Sequence, residues 1–245
     1  MRSLHQRAPR TAVARAPHRA SVHRRAGRSR AAARASRLTP PAPIGAIVAG
    51  GESSRFGGEP KGLALVGGVR IIDRVANALR AVTPQLMLVS NAPDSSSWLG
   101  DALVVRDKRT ERGSLVGLHT ALSNLPAPAE GAIVVAWDMP FVTVELLRLL
   151  ASTPAESFAS IPDGPRGAEP MCAYYSRRCL PAIDAALDAG DLRLTAFIER
   201  LPNVRHVGAA KVASCGDPTR LFFNVNTPSD LALADSMAAA DVRTA

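Results

Sequence analysis

A chain of 245 residues is long enough to bury the hydrophobic core of one large domain or two small ones. Its apolar runs fall well short of the ~20 residues that cross a bilayer, which excludes a membrane-spanning helix. Three cysteines without a Cys-x-x-Cys pair argue against a disulfide framework or a cysteine-rich zinc site, and we expect a reducing, cytoplasmic location.

The net charge of +9 comes from the N-terminal tail (residues 1–43), which holds eleven arginines and no Asp, Glu or Lys. The remaining chain has 19 basic and 21 acidic side chains. The tail consists mainly of Ala, Arg, Ser, Pro and His, so we predict that it is disordered, because it cannot bury enough apolar surface to offset chain entropy. A nucleic-acid-binding arm, an organellar transit peptide and an extension without function all remain open. No apolar segment typical of a secretory signal is present.

The body of the chain (residues 44–245) alternates apolar strand-like runs with amphipathic helical segments. Strands are predicted within AIVA, LMLVS, ALVV and AIVVAW, and helices within IIDRVANALRAV, LVGLHTALSNL and TVELLRLLAS. Continuous apolar strands joined by helices are typical of a parallel sheet covered on both faces. With right-handed crossovers, the pattern predicts a three-layer α/β/α sandwich with a Rossmann-like, mostly parallel sheet.

The second half of the body is less regular. SFASIP, MCAYYS and VRHVGA are predicted strands, and CLPAIDAALDAG is a predicted helix that ends at Gly190. A last helix is predicted to begin after Thr227 as N-cap, with Pro228 at the first helical position and Asp230 completing a capping box. No internal repeat is apparent, so we predict one domain over residues 44–245.

A glycine-rich loop with two cations follows the first predicted strand. It contains Gly50, Gly51, Arg55 and Lys61. Glycines let backbone N–H groups approach phosphate oxygens, and the cations neutralise charge, so the loop favours an anion site. A P-loop is excluded because Lys61 is followed by glycine, and no G-x-G-x-x-G is present. A surface loop with two solvated cations is the alternative.

Two aspartates follow other predicted strands. Asp138 comes directly after AIVVAW, and Asp107 follows ALVV and precedes a glycine-containing segment that opens a helix. Because parallel α/β sheets bind ligands beyond the carboxyl ends of their strands, we expect both aspartates to face the loop. Asp138 is well placed to hold Mg²⁺, which prefers one or two carboxylates together with substrate phosphates. Taken alone, Asp138 could instead cap a helix or a turn.

On these motifs the chain resembles the molybdenum cofactor guanylyltransferases, nucleotidyltransferases with a GT-A-like fold. That family has a loop of the form L-A-G-G-x-x-x-R-M-G-x-x-x-K-G-L, and this chain has VAGG from residue 48, RFG from residue 55 and KGL from residue 61. Val48 for Leu and Phe56 for Met are apolar exchanges. DMP, GSLVGL, EPMCAYYS and FFNVNTPSDL match further family segments. The resemblance extends from Ile44 to about Met237 and does not cover the tail.

The resemblance implies transfer of GMP from GTP to the phosphate of molybdopterin, with release of pyrophosphate and formation of molybdopterin guanine dinucleotide. It implies catalytic roles for Arg55, Lys61 and Asp138, and Mg²⁺ held by Asp138. The base-recognition position falls near Ser90 or Asn91. Asn226 resembles a second metal-side ligand of related nucleotidyltransferases, and Asn224 is a candidate contact for the pterin. Turn and helix-cap roles are the equal alternative for both. The implied nucleotide and cofactor site comprises Val48, Ala49, Gly50, Gly51, Lys61, Asn91, Asp107, Asp138, Asn224 and Asn226.

The resemblance also implies a monomer that acts on GTP and molybdopterin and has transient contacts with molybdenum-insertion or molybdoenzyme-maturation proteins. We expect no membrane partner and no specific nucleic acid. The nearest rivals are a cytidylyltransferase of the same cofactor and an enzyme for a sugar or alditol phosphate. Cytidylyl relatives have Ala-Ala-Gly where this chain has Ala49-Gly50-Gly51, which favours guanine. A protein that binds nucleic acid through its tail is a rival of another class, although the body has no excess positive charge.

Overall fold

The computed structural model describes residues 41–50 and 60–244, and the structural statements below concern these residues. Residues 1–40 of the predicted tail lie outside them, as do Gly51 and Arg55. Residues from Pro41 onward form one compact unit. The assignment of residues 44–245 to one catalytic domain stays a prediction.

The described residues form ten strands, of which eight make up the main sheet and two a separate hairpin. The main sheet has the order β10-β7-β9-β6-β1-β4-β5, and β8 pairs with β7. β1 pairs in parallel with both β4 and β6, so that Val48 lies opposite Val89 and Ala136 at the carboxyl ends. The strands are β1 (Ile44–Val48), β2 (Leu65–Val66), β3 (Val69–Arg70), β4 (Leu86–Val89), β5 (Leu103–Val105), β6 (Gly131–Ala136), β7 (Ala159–Gly164), β8 (Gly167–Ala168), β9 (Cys172–Ser176) and β10 (Val204–Val207).

Most of the sheet is parallel, as predicted. β9 runs antiparallel to its neighbours β6 and β7, while β7 and β10 pair in parallel. The helices are α1 (Ile71–Arg80), α2 (Ser114–Ser123), α3 (Val144–Ala151), α4 (Leu180–Asp188), α5 (Leu194–Glu199), α6 (Ala209–Ala213), α7 (Pro218–Leu221) and α8 (Pro228–Thr244).

The two faces of the sheet carry two hydrophobic cores. In β1 the side chains alternate: Ala46 and Val48 belong to the core shared with α2 and α4, and Ile47 belongs to the core shared with α1 and α3. A strand buried on both faces needs a continuous apolar sequence, which is what the β1 segment supplies. The predicted three-layer α/β/α sandwich is therefore confirmed.

The structure has the predicted helix-end signals at two places, the end of α4 and the start of α8. Gly190 ends α4 with a φ of 71°, the conformation that favours glycine after a helix. At the start of α8, Thr227 N donates to Asp230 Oδ2 at 2.8 Å and Asp230 N donates to Thr227 Oγ1 at 3.2 Å. This is the reciprocal pairing of a capping box.

The structure contains short elements that the sequence did not indicate. The hairpin β2–β3 turns at Gly67 and Gly68, whose φ values are 59° and 75°. Positive φ at both central residues is typical of the tight turn that joins two antiparallel strands. Helices α5, α6 and α7 have four to six residues each, too few to produce a visible helical periodicity. Among the described residues, no helix is long and apolar enough to cross a membrane.

Candidate active site

A cavity of about 690 Å³ opens at the carboxyl ends of β1, β4, β5 and β6. Its volume is within the range of small-molecule sites, about 300–1,000 Å³. Four neighbouring strands end here, so residues far apart in the sequence meet at one edge of the sheet. The predicted site residues that line the cavity are Val48, Ala49, Gly50, Lys61, Asn91, Asp107, Asp138 and Asn224.

Lys61 and Asp138 form an ion pair at one end of the cavity. Lys61 Nζ donates to Asp138 Oδ2 at 2.5 Å, and only 13% and 11% of the two side chains are exposed. The other carboxylate oxygen of Asp138, Oδ1, is buried and has no hydrogen-bond partner among the described residues. A buried oxygen without a partner is costly unless something binds it, so Oδ1 indicates a ligand position.

Asn226 is hydrogen-bonded to the ion pair of Lys61 and Asp138. Its side-chain Oδ1 accepts a hydrogen bond from Lys61 Nζ at 2.8 Å, while its backbone N donates to Asp230 Oδ2 at 2.9 Å. That backbone hydrogen bond is the main reason why the pKa of Asp230 is lowered. Asn226 thus takes part in the cap of α8 through its backbone and reaches Lys61 through its side chain.

A second polar group lies at the other end of the cavity, where β4 and β5 end. Asn91 Nδ2 donates to Asp107 Oδ2 at 2.8 Å, and Asp107 N donates to Asn91 Oδ1 at 2.9 Å. Thr120 of α2 donates its hydroxyl to Asp107 Oδ1 at 2.5 Å. The three side chains come from the segment after β4, the segment after β5 and α2, and form one connected network.

Two glycines allow the close packing that shapes the cavity wall. A β-carbon at Gly117 of α2 would lie 2.6 Å from Val48 Cγ1, and one at Gly62 would lie 2.3 Å from Trp137 Cε3. Such distances are not tolerated without displacement of the neighbour. Gly117 therefore allows α2 to approach the end of β1, and Gly62 lets the loop that carries Lys61 lie on the indole of Trp137.

A family model described as MobA-like NTP transferase domain matches residues 45–206. The chain belongs to the MobA-like NTP transferase family.

Relatives of this family cover most of the chain. The molybdenum cofactor guanylyltransferase of Desulfosudis oleivorans is 34% identical over 194 residues, 78% of this chain and 94% of that protein. The probable molybdenum cofactor guanylyltransferase of Pelotomaculum thermopropionicum is 36% identical, over 79% of this chain and 92% of the relative. The solved structure of molybdopterin-guanine dinucleotide biosynthesis protein A from Archaeoglobus fulgidus matches with a TM-score of 0.67 and 28% identity, over 80% of this chain and 98% of that one.

Asn224 lines both the main cavity and a neighbouring groove of about 370 Å³. Its side-chain Nδ2 donates to the carbonyl of Phe222 at 3.0 Å, so it also has the turn role that the sequence left open. Glu169 and Asn226 line the same groove. Burial raises the pKa of Glu169. Asn224 therefore lies between the main cavity and this groove.

The donor set at Asp138 fits a hard divalent cation. Within residues 41–50 and 60–244 there is no cluster of three or more His, Cys, Asp or Glu side chains that could hold a metal ion. Mg²⁺ is commonly bound by one or two carboxylates that share it with substrate phosphates, so a single carboxylate oxygen is an adequate protein contribution. Asp138 Oδ1, buried and without a hydrogen-bond partner in the part of the chain that the structure describes, is such an oxygen.

The sequence indicated most of the cavity wall and missed three polar residues at or behind it. Arg112 and Ser114 line the cavity, and Thr120, which does not line it, contacts Asp107 from within α2. The signal for Thr120 was a hydroxyl on an otherwise apolar helical face, which becomes informative once its partner is known. Gly51 and Arg55 lie outside the described residues, so their predicted roles stay predictions.

Proposed function

We propose that this protein transfers GMP from GTP to the terminal phosphate of molybdopterin, releases pyrophosphate and forms molybdopterin guanine dinucleotide. The observation that carries the proposal is a single cavity with Lys61 and Asp138 at one end and Asn91 and Asp107 at the other. The relatives named guanylyltransferase and the MobA-like family model support the choice of reaction.

The two ends of the cavity suit the two ends of a nucleotide. Asp138 follows β6 and Asp107 follows β5, which are three strand spacings apart in the sheet, about 14 Å at ~4.8 Å per spacing. The triphosphate, with its negative charge, binds at the Lys61 end. The base then lies toward Asn91 and Asp107, whose amide and carboxylate can recognise its polar edge.

Lys61 has a hydrogen-bonding capacity that fits a phosphate. Its ammonium group has three N–H donors, and two of them are directed at Asp138 and Asn226. The third can bind a phosphate oxygen of the nucleotide. Asp138 would hold Mg²⁺ through Oδ1, and the bound ion would neutralise charge on the phosphates.

The chemical step requires positioning rather than a general base. An oxygen of the acceptor phosphate, already anionic, forms a bond to the α-phosphorus of GTP while the bond from that phosphorus to the bridging oxygen of pyrophosphate breaks. The electron pair leaves with pyrophosphate. The chain contributes by aligning the two phosphates and by stabilising negative charge, with Lys61 near the α-phosphate and Arg55 proposed at the β- and γ-phosphates.

The neighbouring groove is the proposed place of the acceptor. Asn224 lines both the groove and the main cavity, and Asn226 connects the groove to Lys61 by a hydrogen bond. An acceptor in the groove would present its phosphate beside the charged group formed by Lys61 and Asp138. Transient contacts with proteins that insert molybdenum or mature molybdoenzymes are part of the same proposal.

Calorimetric binding of GTP, CTP, ATP and UTP in the presence of Mg²⁺ tests the base assignment. We expect GTP to bind at least ~tenfold tighter than CTP, a difference of about 1.4 kcal/mol. Equal or tighter binding of CTP would contradict guanylyl transfer and favour the cytidylyl alternative.

Substitution of Gly50 tests the preference for GTP over CTP more directly. A β-carbon there would meet no heavy atom of the described residues within 4 Å, and Gly50 lines the cavity. Gly50→Ala should therefore leave stability unchanged, add a methyl group to the nucleotide site and reduce the preference for GTP over CTP. Gly100→Ala is the matched control, because a β-carbon there also meets nothing and Gly100 is not among the residues that line the cavity.

A further inference from the structure

We infer that Thr120 is a positioning residue for guanine recognition and acts through Asp107 and Asn91. This inference rests on the proposed function, because it assumes that guanine binds where β4 and β5 end. Thr120 does not line the cavity itself. Its effect on the nucleotide is transmitted through hydrogen bonds to two residues that do.

The hydroxyl of Thr120 is committed to one acceptor. Thr120 is 2% exposed, and its Oγ1 donates to Asp107 Oδ1 at 2.5 Å across thirteen positions of the sequence. A threonine inside a helix often bonds the carbonyl one turn earlier. Here the hydroxyl instead connects α2 to the segment that follows β5, so it fixes the carboxylate from the protein interior.

The carboxylate in turn orients Asn91. Asp107 Oδ2 accepts from Asn91 Nδ2, and Asp107 N donates to Asn91 Oδ1. The side-chain amide therefore has both its oxygen and its nitrogen assigned to Asp107. Asn91 cannot turn its amide over without losing two hydrogen bonds, so Thr120, Asp107 and Asn91 form a rigid chain that reaches the cavity.

The hydrogen-bonding capacity that remains on Asp107 and Asn91 matches the polar edge of guanine. Each oxygen of a carboxylate can accept more than one hydrogen bond, and an amide nitrogen has two N–H donors. Asp107 can still accept from the N1–H and the 2-amino group of guanine, and Asn91 can still donate. Adenine has an acceptor at N1 and no 2-amino group, and hypoxanthine lacks the 2-amino group alone. A site that is built to bind these donors rejects a base without them.

Three substitutions at Thr120 separate the hydroxyl from the shape of the side chain. Thr120→Val keeps the volume and removes the donor, and Thr120→Ser keeps the donor. Thr120→Ala also lacks the hydroxyl and only removes atoms. It therefore replaces Thr120→Val as the test if the valine variant does not fold. Binding of GTP, ITP and dGTP is measured by calorimetry for each variant and the parent protein, and KM and kcat are measured with GTP.

We expect Thr120→Val and Thr120→Ala to weaken GTP binding about tenfold and to weaken ITP binding much less, so that the preference for GTP over ITP shrinks. The KM for GTP should rise more than kcat falls, because the ion pair of Lys61 and Asp138 is unchanged. Thr120→Ser should restore the preference. A role that is only structural would weaken GTP and ITP equally.

Three results would overturn the inference: an unchanged preference for GTP over ITP in the Val and Ala variants, whether both nucleotides bind equally less well or neither changes; failure of Thr120→Ser to restore the preference; or an altered preference for GTP over dGTP, which would assign the network to ribose. A parent protein that does not prefer GTP over CTP would instead contradict the proposed function. A parent that prefers GTP, with variants that prefer it equally, contradicts the inference alone.

Discussion

Lys61 and Asp138 are 77 positions apart in the sequence, yet Nζ of one and Oδ2 of the other are 2.5 Å apart. The ion pair connects the loop after β1 to the end of β6, two strands that pair in parallel. Asp138 therefore has one oxygen held by a cation and one oxygen, Oδ1, that is buried and without a partner among the described residues. This division of the carboxylate leads to the first prediction.

Asp138→Asn should abolish turnover while the protein stays folded. The amide has nearly the same shape as the carboxylate but no charge for Lys61 or for a divalent cation. We expect kcat to fall at least ~100-fold, which is the size of effect seen when a main charge-stabilising group is removed. The measurement is pyrophosphate release with GTP and molybdopterin over a range of Mg²⁺ concentrations, together with a thermal melt.

Asp101→Asn is the control for Asp138→Asn. Asp101 also pairs with a cation, Arg80, but it is exposed and lies in a different part of the molecule, near the amino ends of β1 and β4. Its substitution should leave turnover unchanged. Substantial activity of Asp138→Asn, or activity of the parent protein that is indifferent to EDTA, would place the metal elsewhere.

Gly62→Ala should damage the site through packing rather than charge. The added methyl group would lie 2.3 Å and 2.6 Å from two atoms of the Trp137 ring, which is itself stacked on Trp98 with ring centroids 5.4 Å apart. A stacked indole cannot move aside easily, so the loop with Lys61 must shift. Overpacking of this kind costs about 1–3 kcal/mol of stability.

The expected result for Gly62→Ala is a lower melting temperature and a kcat reduced by at least ~tenfold. Gly100→Ala is again the matched control, because its methyl group meets nothing within 4 Å. An active and fully stable Gly62→Ala would show that the position of Lys61 does not depend on the close packing of Gly62 against Trp137.

The elements of the sheet were predictable because each carries its signal locally. β1 and β6 are buried on both faces and have continuous apolar sequences, and α1 has apolar residues at helical spacing. The edge of the sheet where the ligand binds follows from the parallel order alone. The placement of Lys61, Asp138 and Asp107 around one cavity was therefore accessible from the sequence.

Contacts between elements were not accessible in the same way. The hydrogen bond from Thr120 to Asp107 depends on the distance between α2 and the segment after β5, and nothing in the sequence near either residue specifies that distance. The same holds for the reciprocal pair of Asn91 and Asp107, which requires the register of β4 and β5. From the sequence, Asn226 was either a site residue or a turn and helix-cap residue, and its side-chain hydrogen bond to Lys61 was not predicted.

The buried cysteines predict a loss of stability at alkaline pH. Burial raises the pKa of Cys172 and of Cys179 to about 12 in each case. In the unfolded chain a thiol ionises near pH ~8.5. Because the pKa is raised in the folded protein, the unfolded state releases protons first as the pH rises, so the free energy of unfolding falls above the unfolded pKa.

The measurement is urea unfolding at several pH values between ~7.5 and ~9, a window that ends below the pKa of tyrosine in the unfolded chain, about 10. The midpoint should fall with rising pH, and Cys172→Ala with Cys179→Ala should flatten the dependence. In the folded protein a thiol reagent should react first with Cys215, which is partly exposed, while the two buried thiols stay protected. Rapid labelling of Cys172 or Cys179 under native conditions would contradict this prediction.

The last prediction concerns the N-terminal tail, residues 1–43, with its eleven arginines. A chain that begins at Pro43 should be as active and as stable as the full chain. The tail could collect anionic substrates, but at ~0.15 M salt the Debye length is only about 8 Å, so attraction by an arm in solvent is modest and weakens further with added salt. The remainder of the chain has two more acidic than basic side chains and does not need the tail for its chemistry.

The two chains should differ in one property, the binding of nucleic acid. Clustered arginines release counterions from a phosphate backbone, so the full chain should bind DNA or RNA weakly and with a steep salt dependence, and the chain from Pro43 should not. With GTP and molybdopterin as substrates, kcat, KM and their response to salt should match between the two chains. A large loss of kcat on truncation would refute the prediction, because an arm that acts only by attraction from solvent changes the encounter with substrate and leaves the rate of the bound complex unchanged.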